Sequence, residues 1–233
     1  MTYFVISDLH LSFYQNETLK YNKLVKFFDF IRYKGNLILL GDIFDFWFEY
    51  PFVIPSNYFR FLDLLYNFPA EIYFVAGNHD LWVGDFFQRI GIKTFLNYLS
   101  LEIGDKKWFF THGDMDKLLR KFLLFSLNVK LFKALPTFVG FNIAKFFSKL
   151  SRKRSERKLK IKLHPDFFKY KDLYDGLCFA HLHYPDLRKI KGKVYLNTGD
   201  WVKNFTFASI NERKVILYKF CCEKFEIVKS LEY

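Results

Sequence analysis

Six short apolar runs, each stopping at a polar cluster, constrain the fold of this chain more than any other feature. "YFVIS" (3–7), "LILL" (37–40) and "IYFVA" (72–76) are rich in β-formers and break into "DLH", "GD" and "GNHD". "KKWFF" (106–110), "LCFA" (177–180) and "KVYLN" (193–197) break in the same manner into "THGD", "HLH" and "TGDW". Helix-like stretches lie around 17–33 and 56–68. This rhythm predicts an α/β chain with parallel strands, in which ligands collect beyond the strands' carboxyl ends. "FTFASI" and "KVILYKF" flank "NER" and predict a hairpin.

The polar clusters hold five of the six histidines: His10, His79, His112, His181 and His183, with His164 apart. Taken alone, the clusters are weak signals, "GNHD" being moderately specific. Asp8 and His10 form a common local chelate, and Asp42 in "GD" is weaker still. Asn78 is an uncommon ligand, exposed by a tight turn that Gly77 permits. His181 and His183, taken alone, read better as a pair of partly buried core or surface histidines than as ligands. Together the clusters supply seven nitrogen or oxygen donors: Asp8, His10, Asp42, Asn78, His112, His181 and His183. The lack of a thiolate among them argues against a structural zinc site and for Mn, Fe, Co or Zn in open catalytic geometry. Seven donors exceed one tetrahedral ion but suit two ions sharing a carboxylate. Such pairs, about 3.5–4 Å apart, serve phosphate-ester hydrolysis by holding phosphoryl oxygens and lowering the pKa of bound water.

The 233 residues are 51% hydrophobic and include 32 phenylalanines, which excludes a disordered chain. Cys178, Cys221 and Cys222 offer neither a disulfide framework nor C-x-x-C spacing, so a reducing compartment is expected. The chain opens without a basic n-region, and no apolar run reaches the roughly 18 residues of a membrane span. A cytoplasmic protein, soluble or peripherally attached, is expected. Its net charge of +12 is local: residues 117–163 hold 14 Lys and Arg against one acid, Glu156. The remainder is near neutral. Within 115–163, "LLRKFLLFSLNVKLFKAL" and "FVGFNIAKFFSKL" predict a helical insertion between two parts of a core, 1–114 and 164–233. It could be an amphipathic pair with a solvated basic face. Its place directly after "THGD" suggests an anionic ligand or surface instead.

The ordered set D-x-H, GD-x-x-D, GNHD, HGD and H-x-H resembles the calcineurin-like metallophosphoesterases over almost the whole chain. Ala180 stands where that family usually has Gly. The resemblance implies a four-layer-type α/β sandwich, two mixed β-sheets flanked by helices, with a helical lid. It assigns Asp8, His10 and His183 to one ion, Asn78, His112 and His181 to the other, and Asp42 to both. His79 would then stabilise the phosphoryl group or protonate the leaving oxygen, with the Asp45 carboxylate orienting it.

"GDIFDFWFEY" (41–50), "GNHDLW" (77–82), "NTGDWV" (197–202) and an insertion ending near "SRKRSER" resemble the bacterial UDP-2,3-diacylglucosamine hydrolases. Those cleave a pyrophosphate to give UMP and a lipid 1-phosphate for lipid A, using the insertion as substrate lid. Many of the best-known branch carry Arg in place of His79 and a longer loop after HGD. The resemblance implies two divalent ions, Mn first among Mn, Fe, Co and Zn. It further implies a UDP-linked diacyl sugar lipid as substrate and an anionic inner leaflet of a Gram-negative-type bacterium as the surface. Asn78, His79 and His181 would touch substrate. Phe122, Phe125, Phe132, Phe138, Phe141, Phe146 and Phe147 would supply an acyl groove, and Arg152, Arg154 and Arg157 phosphate or head-group contacts. Nucleic acid is not the expected partner. Two readings stay open beside this one. The first is a phosphoesterase of other specificity, such as a nuclease using the basic insertion. The second is a non-catalytic membrane-binding protein, disfavoured because no ligand position is missing.

Overall fold

The computed structural model describes residues 1–12, 18–47, 49, 53–81, 83–114, 139, 142 and 163–233. The expected insertion, with its phenylalanines and with Arg152, Arg154 and Arg157, lies outside the described residues except at 139, 142 and 163.

Twelve strands form two sheets among the described residues. The first runs β12 (Lys224–Glu232), β11 (Lys214–Cys221), β10 (Thr206–Ile210), β1 (Tyr3–Ile6), β2 (Asn36–Leu40), β3 (Ile72–Val75) and β4 (Lys93–Phe95). Strands β1 to β4 are parallel, whereas β10, β11 and β12 are antiparallel neighbours. The second sheet runs β5 (Leu99–Ile103), β6 (Lys106–Thr111), β7 (Gly176–Phe179), β9 (Lys193–Asn197) and β8 (Asp186–Ile190). Its three central strands are parallel and its two edges antiparallel. Both sheets are therefore mixed, and the expected hairpin is β10–β11.

Alternation along the strands divides the core into layers. Phe4, Ile6, Leu37, Leu39 and Phe74 join the buried faces of α1 (Thr18–Ile31) and α2 (Phe59–Tyr66), through Leu24, Phe27, Phe28, Ile31, Phe61 and Leu65. The intervening Tyr3, Val5, Ile38, Leu40 and Val75 pack with Trp108, Phe110, Cys178, Val194 and Leu196 between the sheets. Phe109, Leu177, Phe179 and Tyr195 on the outer face of the second sheet meet Phe167 of a short helix, Asp166–Tyr170. The consequence is positional. The carboxyl ends of β1, β2 and β3 and those of β6, β7 and β9 open onto one another, and every polar cluster singled out in the sequence sits there.

Candidate metal centre

Residues following six strands build the centre: Asp8 and His10 after β1, Asp42 after β2, Asn78 and His79 after β3, His112 after β6, His181 and His183 after β7, and Thr198 to Trp201 after β9. Five of these residues that carry a Cβ hold left-handed backbone: Asp8 (φ 51°), His10 (45°), Asp42 (51°), His181 (64°) and His183 (54°). For a residue with a Cβ this costs roughly 1–2 kcal/mol each. The surroundings hold them there. Asp8 N–H donates to the Gly41 carbonyl, His10 N–H to the Asp42 carbonyl, and Leu182 N–H to the Ala180 carbonyl across His181. His181 N–H donates to Asp8 Oδ2 at 3.2 Å, which locks two of the loops together. Ala180 is itself outside the left-handed region and wholly buried, so its methyl is accommodated. Gly77 is needed for space, not for an unusual turn: a Cβ there would come within 2.2 Å of Asp42 Oδ1.

The imidazoles are aimed by their second nitrogens. His112 Nδ1–H donates to the Leu40 carbonyl at 3.0 Å. Its Nε2 then faces Asp42 Oδ2 at 3.3 Å and His181 Nδ1 at 3.2 Å. On the other side His183 Nε2 lies 3.0 Å from Asp8 Oδ1 and 3.4 Å from His10 Nε2. Asp8 Oδ1 is buried and makes no hydrogen bond among the described residues. Buried carboxylate oxygens and imidazole nitrogens facing one another at these distances repel unless a proton or a cation lies between them. The donor atoms fall into three groups whose members lie within 4.8 Å of one another: Asp8–His10–His183, His10–Asp42–His79 and Asp42–His112–His181. Asp42 belongs to two of them, and Asn78 is half-buried on the turn next to His79. The chemistry of these donors fits divalent ions.

The metal-free electrostatics agree. Burial would raise the Asp42 pKa, but His112, His79 and His10 around it hold it well below the carboxylate range. Burial would lower that of His112, yet Asp42, with Asp8 and Asp114, pushes it up to about 10. His10 falls well below its ordinary value through burial and the neighbouring His79.

One expected role changes. His79 Nδ1–H donates to the backbone carbonyl of Asp45 at 2.7 Å, and the Asp45 carboxylate lies 3.6 Å from His10 Nδ1. The turn after β2 brings the peptide of Asp45, not its side chain, to His79, so the carboxylate faces His10. His79 Nε2 is 3.9 Å from Asp42 Oδ2, and its ring meets His10 edge-on at 4.8 Å.

Several supporting residues escaped the sequence reading. Asp80 accepts N–H bonds from Gly77 (2.7 Å), Ile43 (2.7 Å) and Asp42 (3.2 Å), tying the β2 and β3 loops. Asn197 Nδ2 donates to the Ala180 carbonyl at 3.2 Å, and Trp201 N–H to that of Asp8 at 3.1 Å. Asp200 gathers the N–H groups of Val202, Lys203 and Asn204, whose amide holds the His183 carbonyl at 3.1 Å. The signal available was a buried-type polar residue adjoining each ligand motif, as in "GNHD" and "NTGDW".

Residues 1–209 match the calcineurin-like phosphoesterase family. The chain belongs to that family. Among curated relatives, a UDP-2,3-diacylglucosamine hydrolase of Blochmanniella pennsylvanica is 28% identical over 91% of this chain and 93% of its own length. One from Aliivibrio fischeri is 25% identical over 94% and 98%. One from Porphyromonas gingivalis reaches 34%, over 40% of this chain; the match covers only 37% of that protein. Among solved structures, this phosphoesterase shares its fold with Vps29 of Entamoeba histolytica, complexed with zinc (TM-score 0.51, 13% identity, 100% and 99% covered). It shares it equally with a phosphoesterase of E. coli, Yfce (0.51, 14%, 99% and 98%). Among the described residues its Asp and His clusters could hold the divalent ions that this family uses. Among the described residues, no helix is long and apolar enough to cross a membrane.

Proposed function

We propose that this phosphoesterase holds two divalent ions and cleaves the pyrophosphate of UDP-2,3-diacylglucosamine with water, releasing UMP and 2,3-diacylglucosamine 1-phosphate for lipid A assembly. The observation that carries the substrate is that relatives of that name align with more than nine-tenths of the chain. Asp8, His10 and His183 would hold one ion and Asn78, His112 and His181 the other, with Asp42 between; Mn is the first choice, Fe, Co or Zn the alternatives. Bound ions of this kind polarise the phosphoryl group and provide hydroxide near neutral pH. Two carboxylates against two dications leave a positive field that favours an anionic diphosphate. His79, its Nδ1–H fixed on the Asp45 carbonyl, presents Nε2 to the site. From there His79 would act as the general acid toward the leaving oxygen.

The segment 115–163 is proposed as the substrate lid. Its seven phenylalanines suit acyl chains, Arg152, Arg154 and Arg157 suit phosphate, and its charge suits an anionic inner leaflet at roughly 1 kcal/mol per basic residue. Incubating the protein with Mn and a detergent-dispersed UDP-diacylglucosamine should release UMP. Robust cleavage of small phosphodiesters with no UMP would move the substrate elsewhere in the family. A steep fall of affinity with salt for single-stranded nucleic acid would favour the nuclease reading.

A further inference from the structure

His164 is the one histidine outside the metal clusters, and it is wholly enclosed beside them. Its exposure is 4%. The Asp166 N–H donates to its Nδ1 at 3.2 Å, which places the remaining hydrogen on Nε2. That Nε2–H donates to the Gly113 carbonyl at 2.8 Å. The ring stacks on Phe179, centroids 4.7 Å apart and planes 12° from parallel, and its own N–H is held by the Tyr195 hydroxyl at 3.1 Å. His164 therefore touches the residue after His112 and the residue two before His181 through its ring, and β9 through its backbone N–H. Gly113 adopts φ +102°, and a Cβ there would fall 2.5 Å from His164 Nε2, so the close approach requires glycine. In the sequence, Gly113 and His164 stand on either side of 115–162.

From this geometry we infer that His164 is a positioning residue: by holding the carbonyl of Gly113, the residue that follows His112, it fixes the chain leaving His112 and thereby aims His112 at its ion. The inference rests on the two-ion reading. Hydrogen bonds one step removed from ligands commonly control affinity in this way, their loss weakening metal binding about 10- to 100-fold.

Two substitutions separate the donor from the ring. His164→Phe keeps the stack on Phe179 and removes the donor; His164→Gln keeps an N–H at a similar reach and removes the ring. Co(II) is titrated into the metal-free proteins and followed by visible absorption, with circular dichroism as the check on folding. The expected result is two Co(II) bound by wild type. His164→Gln should stay within a few-fold of it, and His164→Phe should lose about 10- to 100-fold at one site. The reverse order, equal losses in both, or no loss in either would give His164 a packing role only and overturn the inference. Should His164→Phe fail to fold, Gly113→Ala breaks the same contact from the other side. It should weaken one site, and unchanged binding would equally overturn the inference. Failure of the two-ion reading looks different: wild type itself would then bind fewer than two ions.

Discussion

At the scale of single residues, the centre is built against local preference. Five residues with side chains sit in left-handed backbone, a conformation that their neighbours impose and that the sequence does not advertise. The motif spacing predicted which residues converge, yet it could not foresee that peptide groups do much of the aiming. Asp45 shows this: its carbonyl holds His79 while its carboxylate turns to His10. If His79 acts on substrate and not as a ligand, His79→Ala should retain both ions and slow turnover by roughly 10²–10⁴-fold. Metal analysis showing a lost ion would make it a ligand instead. His112 gives a second expectation. Its pKa, pushed to about 10 in the metal-free site, means that a proton is held at pH 7 and must leave when the ion arrives. Metal affinity should therefore rise with pH up to that value, with about one proton released per ion pair at pH 7. Calorimetry in buffers of different ionisation enthalpy measures this, and zero release would contradict the assignment of His112.

At the scale of elements, the strands read from the sequence are those flanked on both sides. The four that were not read, β4, β5, β8 and β12, are the four sheet edges. The reason is burial. β12 exposes most of its residues and β4 has none fully buried, so neither shows a continuous apolar run. α1 by contrast was plain, because its buried face repeats at helical spacing through Tyr21, Leu24, Phe28 and Ile31. Phe27 lies where that helix meets β10 and the "NTGDW" loop, its ring 4.9 Å from Phe207 and 5.4 Å from Trp201. Phe27→Ala should destabilise the fold by about 3–5 kcal/mol in denaturant unfolding. A loss below about 1 kcal/mol would mean that the α1 layer is not packed as described. The proposed lid gives an expectation of its own. Phe141→Asp or Phe146→Asp should raise KM for a diacylated UDP-sugar steeply, since each methylene buried is worth about 0.8 kcal/mol. Cleavage of a small chromogenic phosphodiester should be almost unchanged. Parallel loss of both activities would make the segment a support of the fold.

At the scale of the whole molecule, two mixed sheets face each other so that five strand ends deliver the seven donors to one place. The order of the clusters along the chain made that convergence legible, since seven donors scattered over 176 residues, from Asp8 to His183, gain a common purpose only if strands bring them together. The supporting lattice was not legible. Asp80, Asn197, Asp200 and His164 act through backbone groups whose positions only the fold reveals. Substrate choice sits at this scale too, because the same centre serves any phosphate ester that the surroundings admit. The claim on which everything else depends is that two ions share Asp42. Elemental analysis of protein loaded with Mn and then desalted tests it most directly, on wild type beside Asp42→Asn. Two ions per wild-type chain are expected, and fewer than two with abolished hydrolysis in the variant. Two ions and full activity in Asp42→Asn, or a single ion in wild type, would contradict it.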